Sequence, residues 1–296
     1  MAINAAYDTI FNETLGDAFE ALKTGANDSV TVRRLQKRSD ELASGDASSA
    51  WDLRAYACAV TDAFDAADEH FARALRLSPN NPNLVVRWLA MLCVTGQVTK
   101  VKATFLALRG QLEGHASALR ATASLLGYVG LLLDAYQVRE KLASSGGLLR
   151  SDAPEADVAM ASVEVRQAGA NVEGDGADDP LPCSSYTATA EDAKVLQTAY
   201  GLADDAWSEP IGCAIRYLRQ RRLKVIAVKS SFVPNESGPA TLHFQVLIHA
   251  PPSVSSAAEW DFLDDLVAAD YPAASSWAVS VAFVPTLAEV RNGDIA

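Results

Sequence analysis

Cysteine is scarce and scattered in this chain. Cys58, Cys93, Cys183 and Cys213 are its four, and no two of them are spaced as CxxC. That pattern argues against a disulfide framework and against a zinc site. Cys58, Cys93 and Cys213 fall in apolar helical stretches, where a free thiol behaves as a small buried hydrophobe. Long apolar runs are lacking too: nothing approaches the ~18 apolar residues needed to span a bilayer. The opening MAINAAYDTIFNETLGD has neither the basic nor the apolar region of a secretory leader. A reducing, cytoplasmic setting is the expectation. Basic residues are short in the second half only. Residues 1–150 carry 16 Lys/Arg and 16 Asp/Glu, whereas residues 151–296 carry 9 and 21, so the whole net charge of -12 lies in the C-terminal half. Phosphate affinity comes from basic surface, so this balance argues against nucleic acid as the main partner. Its plainest use is solubility.

What is present suits a folded protein. Apolar residues make up 49% and charged residues 21% of 296 residues, enough for a sizeable core and about two domains. Residues 3–24 place Ile3, Tyr7, Ile10, Phe11, Leu15, Phe19 and Leu22 at three- and four-residue steps, which predicts a helix with one apolar face. Val32, Leu35 and Leu42 predict a second, closing near Gly45. Trp51 to Gln97 then reads as two helices, a Pro/Asn-rich corner and a third helix. Pro79 stops the second of these, and Asn80–Asn83 form the corner.

Measured back from Pro79, the residues Trp51, Ala55, Cys58, Ala67, Phe71, Ala74 and Pro79 fall at fixed offsets. They resemble the tetratricopeptide (TPR) repeat, a 34-residue helical hairpin. Small Ala55 and Ala67 let the two helices touch, while Trp51, Phe71 and Leu75 are expected to fill the space between hairpins. Cys58 departs from the family's usual aromatic, and Arg54 from its usual apolar residue. Advancing 34 residues gives Val85, Leu89, Leu92, Gly96, Val101, Phe105 and Leu108, and a further 34 gives Leu119, Ala123, Leu126, Gly130, Ala135 and Leu142. The resemblance covers about residues 48–149.

It implies a groove lined by the first helix of each hairpin, gripping a partner's segment. Carried over position by position, the partner-binding residues are Asp52, Tyr56 and Val60, then Asn83, Val86 and Ala90, then Arg120, Ser124 and Tyr128. Asp52, Tyr56, Arg87, Ser117 and Ala121 stand where carboxylate-clamping relatives carry Lys, Asn and Arg, so chaperone-tail capture is not supported. The face is small and mildly apolar, suited to an apolar helix-like segment. The alternative is that the chain's own Pro154–Ala168 fills it.

Composition shifts at Ala170–Ser185, ANVEGDGADDPLPCSS, which reads as a linker. Beyond it the order is ααββαβ. Two helices lie around Val195–Leu202 and Ile211–Leu218. A hairpin follows, Leu223–Val233 and Thr241–His249, the second strand strictly alternating. The last two elements are a helix over Ser253–Ala269, with Trp260, Leu263 and Val267 inward, and a strand over Ser276–Val284. The predicted architecture is thus α+β and multidomain. Residues 1–169 form a TPR-like helical solenoid, 170–187 an acidic Gly/Pro linker, and 188–296 a small α+β domain with an antiparallel or mixed sheet.

No catalytic site, metal site or cofactor is expected. His243 and His249 share a strand face but stand ~20 Å apart. Asp261, Asp264 and Asp265 are near one helical face without a nucleophile. Cys58 and Cys93 as nucleophiles would need a His, and none is near in sequence. The basic cluster Arg216, Arg219, Arg221, Arg222 and Lys224 suits a helix C-terminus, with an acidic partner or RNA as the rival. The resulting expectation is a non-enzymatic protein-protein interaction protein: an adaptor, assembly factor or chaperone. Two alternatives stand beside it. One is an enzyme built around His243, His249 and the Asp261–Asp265 helix. The other is a C-terminal dimerisation module pairing through the sheet edge Lys224–Val233.

Overall fold

Side-chain caps start two of the helices of the first half. Asp46 accepts from the Ser49 backbone N–H at 3.0 Å, and Asn81 does the same for Leu84 at 3.3 Å with Pro82 in the first turn. The computed structural model describes residues 2–25, 29–144, 183–186, 190–235, 238–271, 274 and 278–287. Eight consecutive helices form a repeat-like array: α1 (Ala2–Thr24), α2 (Ser29–Leu42), α3 (Ala47–Val60), α4 (Phe64–Leu77), α5 (Pro82–Val94), α6 (Val98–Leu108), α7 (Ala116–Tyr128) and α8 (Leu132–Ser144). None of the described helices is long and apolar enough to cross a membrane.

Each helix pair from α3 onward turns in the same way. Asp62, Gly96 and Gly130 hold φ of 58°, 71° and 80°, at positions 34 residues apart. Around them the N–H groups of Ala63, Gln97 and Leu131 bond back to the carbonyls of Cys58, Leu92 and Leu126, each at 2.9 Å. That is the left-handed helix ending that satisfies otherwise orphaned carbonyls. Ala55, Ala67 and Ala74 are fully buried where helices approach. Rings of Phe19, Tyr56, Phe71 and Trp88 run in contact through the array at centroid spacings of 5.1, 5.4 and 5.6 Å. Trp51 is half-buried and packs on His70 of its own hairpin at 5.0 Å.

The second half is the α+β unit: β1 (Cys183–Tyr186), α9 (Ala190–Tyr200), α10 (Asp204–Gln220), β2 (Val225–Asn235), β3 (Gly238–Ile248), α11 (Pro252–Ala268) and β4 (Val279–Pro285). The expected ααββαβ order is present, preceded by a strand at Cys183–Tyr186, inside the span read as linker. The rest of that span, 170–182, and the segment 154–168 lie outside the described residues. The sheet is mixed, in the order β1-β2-β3-β4. β1 runs parallel to β2, β2 antiparallel to β3, and β3 parallel to β4. Leu242, Phe244, Val246 and Ile248 are buried, while Thr241, His243, Gln245 and Leu247 are half-exposed, the alternation expected of β3.

Two features of this unit differ from expectation. The first is the phase of α11. Trp260 and Val267 were expected inward, yet they are 71% and 78% exposed, and Leu263 is half-buried. The buried positions are Ser255, Ala258, Phe262 and Leu266. Apolar residues lie on both sides of this helix, so pattern alone does not set its rotation. Phe262 decides it by packing between Tyr217 and Phe283 at 5.4 and 5.2 Å. The second is the edge. Ala227–Ser230 of β2 are paired on both sides, with β1 and with β3. On the outer edge of β4, Phe283 N–H donates to Glu259 at 2.6 Å and its carbonyl accepts from the Ser255 hydroxyl at 3.0 Å. Side chains of α11 thus occupy the edge that would otherwise template another strand.

Candidate functional site

The residues predicted to line a groove sit mostly inside the molecule. Asp52, Tyr56, Val60, Val86, Ala90, Ser124 and Tyr128 are buried, and Asn83 and Arg120 are half-buried. The chain itself supplies the cover. α1 packs against α3 and α5, and β1 and β2 pack against α7. Phe19 of α1 meets the Tyr56 ring, and the Arg87 guanidinium lies 5.3 Å from the Phe11 ring. An incoming segment finds no open groove at these residues.

The floor of this closed groove holds a buried ion pair. Arg87 donates from Nε to Asp52 at 2.7 Å, with side-chain exposures of 10% and 0%. The Tyr56 hydroxyl donates to the Arg87 carbonyl at 2.9 Å. Burial pushes the Asp52 carboxyl above its ordinary value although Arg87 opposes the shift, and burial holds the Tyr56 hydroxyl in its protonated form. The pair joins α3 to α5 and has no approach for a reactant.

A second cluster locks the two halves together. Helix α10 lies across the hairpin tips and presents cations to the exposed carbonyls there. Arg216 donates to the Gly96 carbonyl at 2.5 Å, and Arg219 to the Leu22 carbonyl at 2.8 Å and the Asp62 carboxylate at 3.0 Å. Lys224 pairs with Glu20, Thr99 donates to Glu209 at 2.8 Å, and Lys102 meets Asp205 at 3.4 Å. Backbones nearly touch here: a Cβ on Gly96 would stand 2.6 Å from the Gly212 carbonyl. Arg221 covers the Tyr217 ring at 3.7 Å and meets Asp261, also at 3.7 Å. Four of the five clustered cations therefore have partners within the chain, which accounts for them without RNA or an acidic ligand.

The residues of the enzymatic alternative are not brought together. His243 Nδ1 lies 2.8 Å from the hydroxyl of its cross-strand neighbour Ser280, on the sheet face opposite the Phe283 face that α11 covers. His249 is exposed at the end of β3, and Asp261, Asp264 and Asp265 are exposed on α11. Sheet and helix stand between the imidazole and these carboxylates. Among the described residues no group of three or more His, Cys, Asp or Glu side chains could hold a metal ion.

Sequence reasoning missed one juxtaposition. Cys58 and His70, twelve residues apart, line a cleft of about 270 Å³ with Val32, Gln36, Arg54, Ala57 and Thr61. The i, i+12 separation crosses a helical hairpin, so only the turn at Asp62 reveals it. Burial raises the Cys58 thiol, and burial together with Arg73 and Arg54 lowers His70. Both groups are thereby held neutral, the reverse of an activated thiolate–imidazolium pair. Cys93 is fully buried and its thiol is pushed well up by burial. Compared with known proteins, the chain matches no family model, no curated protein and no solved structure.

Proposed function

We propose that this chain is a non-enzymatic protein-protein interaction protein, an adaptor, assembly factor or chaperone, built on a TPR-type solenoid and working in the cytoplasm. The 34-residue recurrence of left-handed tips at Asp62, Gly96 and Gly130 supports the TPR reading beyond the residue pattern. The observation that carries the functional reading is the repeat-like array of packed helical hairpins itself, and closure of its groove moves a partner's site to the outer surfaces. α1 and β1 cover its first-helix face, and α10 clamps the tips through Arg216 and Arg219. A solenoid filled in this way is a rigid platform whose outer surfaces are left for a partner. Cys58 and His70 are held neutral, and His243 and the Asp261–Asp265 carboxylates lie apart from each other, which favours this reading over the enzymatic alternative.

The test is affinity capture by the whole chain from its native host, followed by mass spectrometry. Whole chain is required because the halves share one core. The expected result is one or a few proteins retained in near-stoichiometric amount. A chain that retains no protein above a mock-coupled control, at low salt and after mild cross-linking, overturns the reading.

A further inference from the structure

We infer that the outer ridge of α11 is the docking surface for a basic, amphipathic helical segment of a partner protein, an assignment that rests on the interaction reading above. Trp260 and Val267 are 71% and 78% exposed, and with half-buried Leu263 they form a contiguous apolar strip rather than apolar residues scattered singly. Ser256, Trp260, Leu263 and Val267 follow each other at steps of four, three and four residues. That spacing sets a straight ridge along one side of a helix, the shape into which a second helix packs. The ridge is rigidly presented. Phe262 is wedged between Tyr217 and Phe283, and Glu259 and Ser255 hold the backbone of β4 at 2.6 and 3.0 Å.

Charge selects the occupant. Helix α11 carries Glu259, Asp261, Asp264 and Asp265 and no Lys or Arg. Asp264 is exposed one turn beyond Trp260, Asp265 is exposed beside it and Asp270 just past the helix end, while Asp261 is shared with Arg221 at 3.7 Å. A second copy docked ridge to ridge would bring these carboxylates together within a chain of net charge -12, so self-pairing is disfavoured. A partner helix with apolar residues at the seam and Lys or Arg beside it meets both the ridge and its rim. Tryptophan at the centre of such a seam is the residue type that dominates binding energy.

The probe is a synthetic 18-residue peptide with Leu at the a and d positions and Lys at the flanks, beside a twin with Glu in place of Lys. Binding to the full chain is read by fluorescence anisotropy at low and high salt. The Lys peptide is expected to bind at least tenfold more tightly than its twin and to weaken with salt. Trp260→Ser, which leaves charge unchanged, is expected to weaken it at least tenfold, and Val267→Ser to weaken it measurably. Thermal melts should be unaltered, since both side chains are in solvent. Equal binding of the two peptides, or binding undiminished by both substitutions, overturns the proposal. So does a monomer–dimer equilibrium in sedimentation that Trp260→Ser abolishes, which would make a second copy the occupant. A native partner captured equally by wild type and Trp260→Ser would remove α11 as the site while leaving the interaction reading standing.

Discussion

Arg219 and Leu22 are 197 positions apart, yet the Arg219 Nε donates to the Leu22 carbonyl at 2.8 Å. The carbonyl belongs to the last turn of α1, where it also accepts from the Gly25 N–H at 3.3 Å. The same guanidinium reaches the Asp62 carboxylate at 3.0 Å, so one side chain of α10 ties down two neighbouring hairpin tips. The cation sits at the negative end of α1 and serves a helix other than its own.

Replacing Arg219 with Met should therefore loosen the union of the two halves. The side chain is 8% exposed, and losing its charged hydrogen bonds is expected to cost about 2–3 kcal/mol. Asp62→Asn, which keeps a residue suited to the φ of 58° and removes a charge 62% exposed, should cost under ~1 kcal/mol. Urea unfolding of the whole chain measures both.

Gly96 is held by two separate constraints. Its φ is 71°, and a Cβ there would stand 2.6 Å from the Gly212 carbonyl and 3.0 Å from Arg216 Cγ. Gly114 has φ of 84° with nothing within 4 Å. Gly114→Ala should cost the backbone penalty alone, roughly 1–2 kcal/mol. Gly96→Ala should cost about 1–3 kcal/mol more, because the interface must open. Thermal denaturation of the two variants provides the comparison.

The Asp52–Arg87 pair should behave as a buried ion pair in a mutant cycle. Asp52→Leu alone leaves Arg87 buried without its counter-charge and is expected to cost ~3–5 kcal/mol. The double replacement Asp52→Leu with Arg87→Met should restore most of that loss, since desolvation of both charges disappears together. Tyr56→Phe removes a single hydrogen bond and should cost ~0.5–1.5 kcal/mol.

Asp134 predicts a pH dependence with a definite sign. Burial raises its carboxyl above the ordinary 3.8, with Asp205 adding and with Lys102 and Arg109 opposing. A carboxyl whose folded value exceeds its unfolded value binds more protons when folded. Its contribution is most favourable below the unfolded value and declines as pH rises through the folded one. Wild type should therefore lose stability relative to Asp134→Asn as pH rises from 3.8 into the raised range. Parallel urea titrations across that range measure the difference, and a flat difference would contradict the assignment.

Local signals in the chain were strong where one rule decided the outcome. Pro79, Pro82, Asn81, Gly96 and Gly130 mark turns because backbone sterics and capping act within a few residues. The alternation of Leu242, Phe244, Val246 and Ile248 set the buried face of β3 because strand side chains have a strict period of two. The predicted groove residues were legible as one helical face, but not as a covered one. Coverage depends on where α1 and β1 come to lie, and no local rule encodes that.

By itself, then, the sequence determined the helical hairpins, their 34-residue register and the ααββαβ order, while leaving the sheet antiparallel or mixed. All of these follow from periodicity, caps and turns. Tertiary structure alone decided three things. It closed the groove over Tyr56 and Tyr128, because α1 packs on α3 and α5 and β1 and β2 pack on α7, taking their apolar faces out of water. It spent Arg216 and Arg219 on the hairpin tips, because the partial negative charge of carbonyls at helix ends attracts cations from any part of the chain. And it turned Trp260 outward, because a helix with apolar residues on two sides takes its rotation from the neighbours it packs on, here Tyr217 and Phe283 through Phe262.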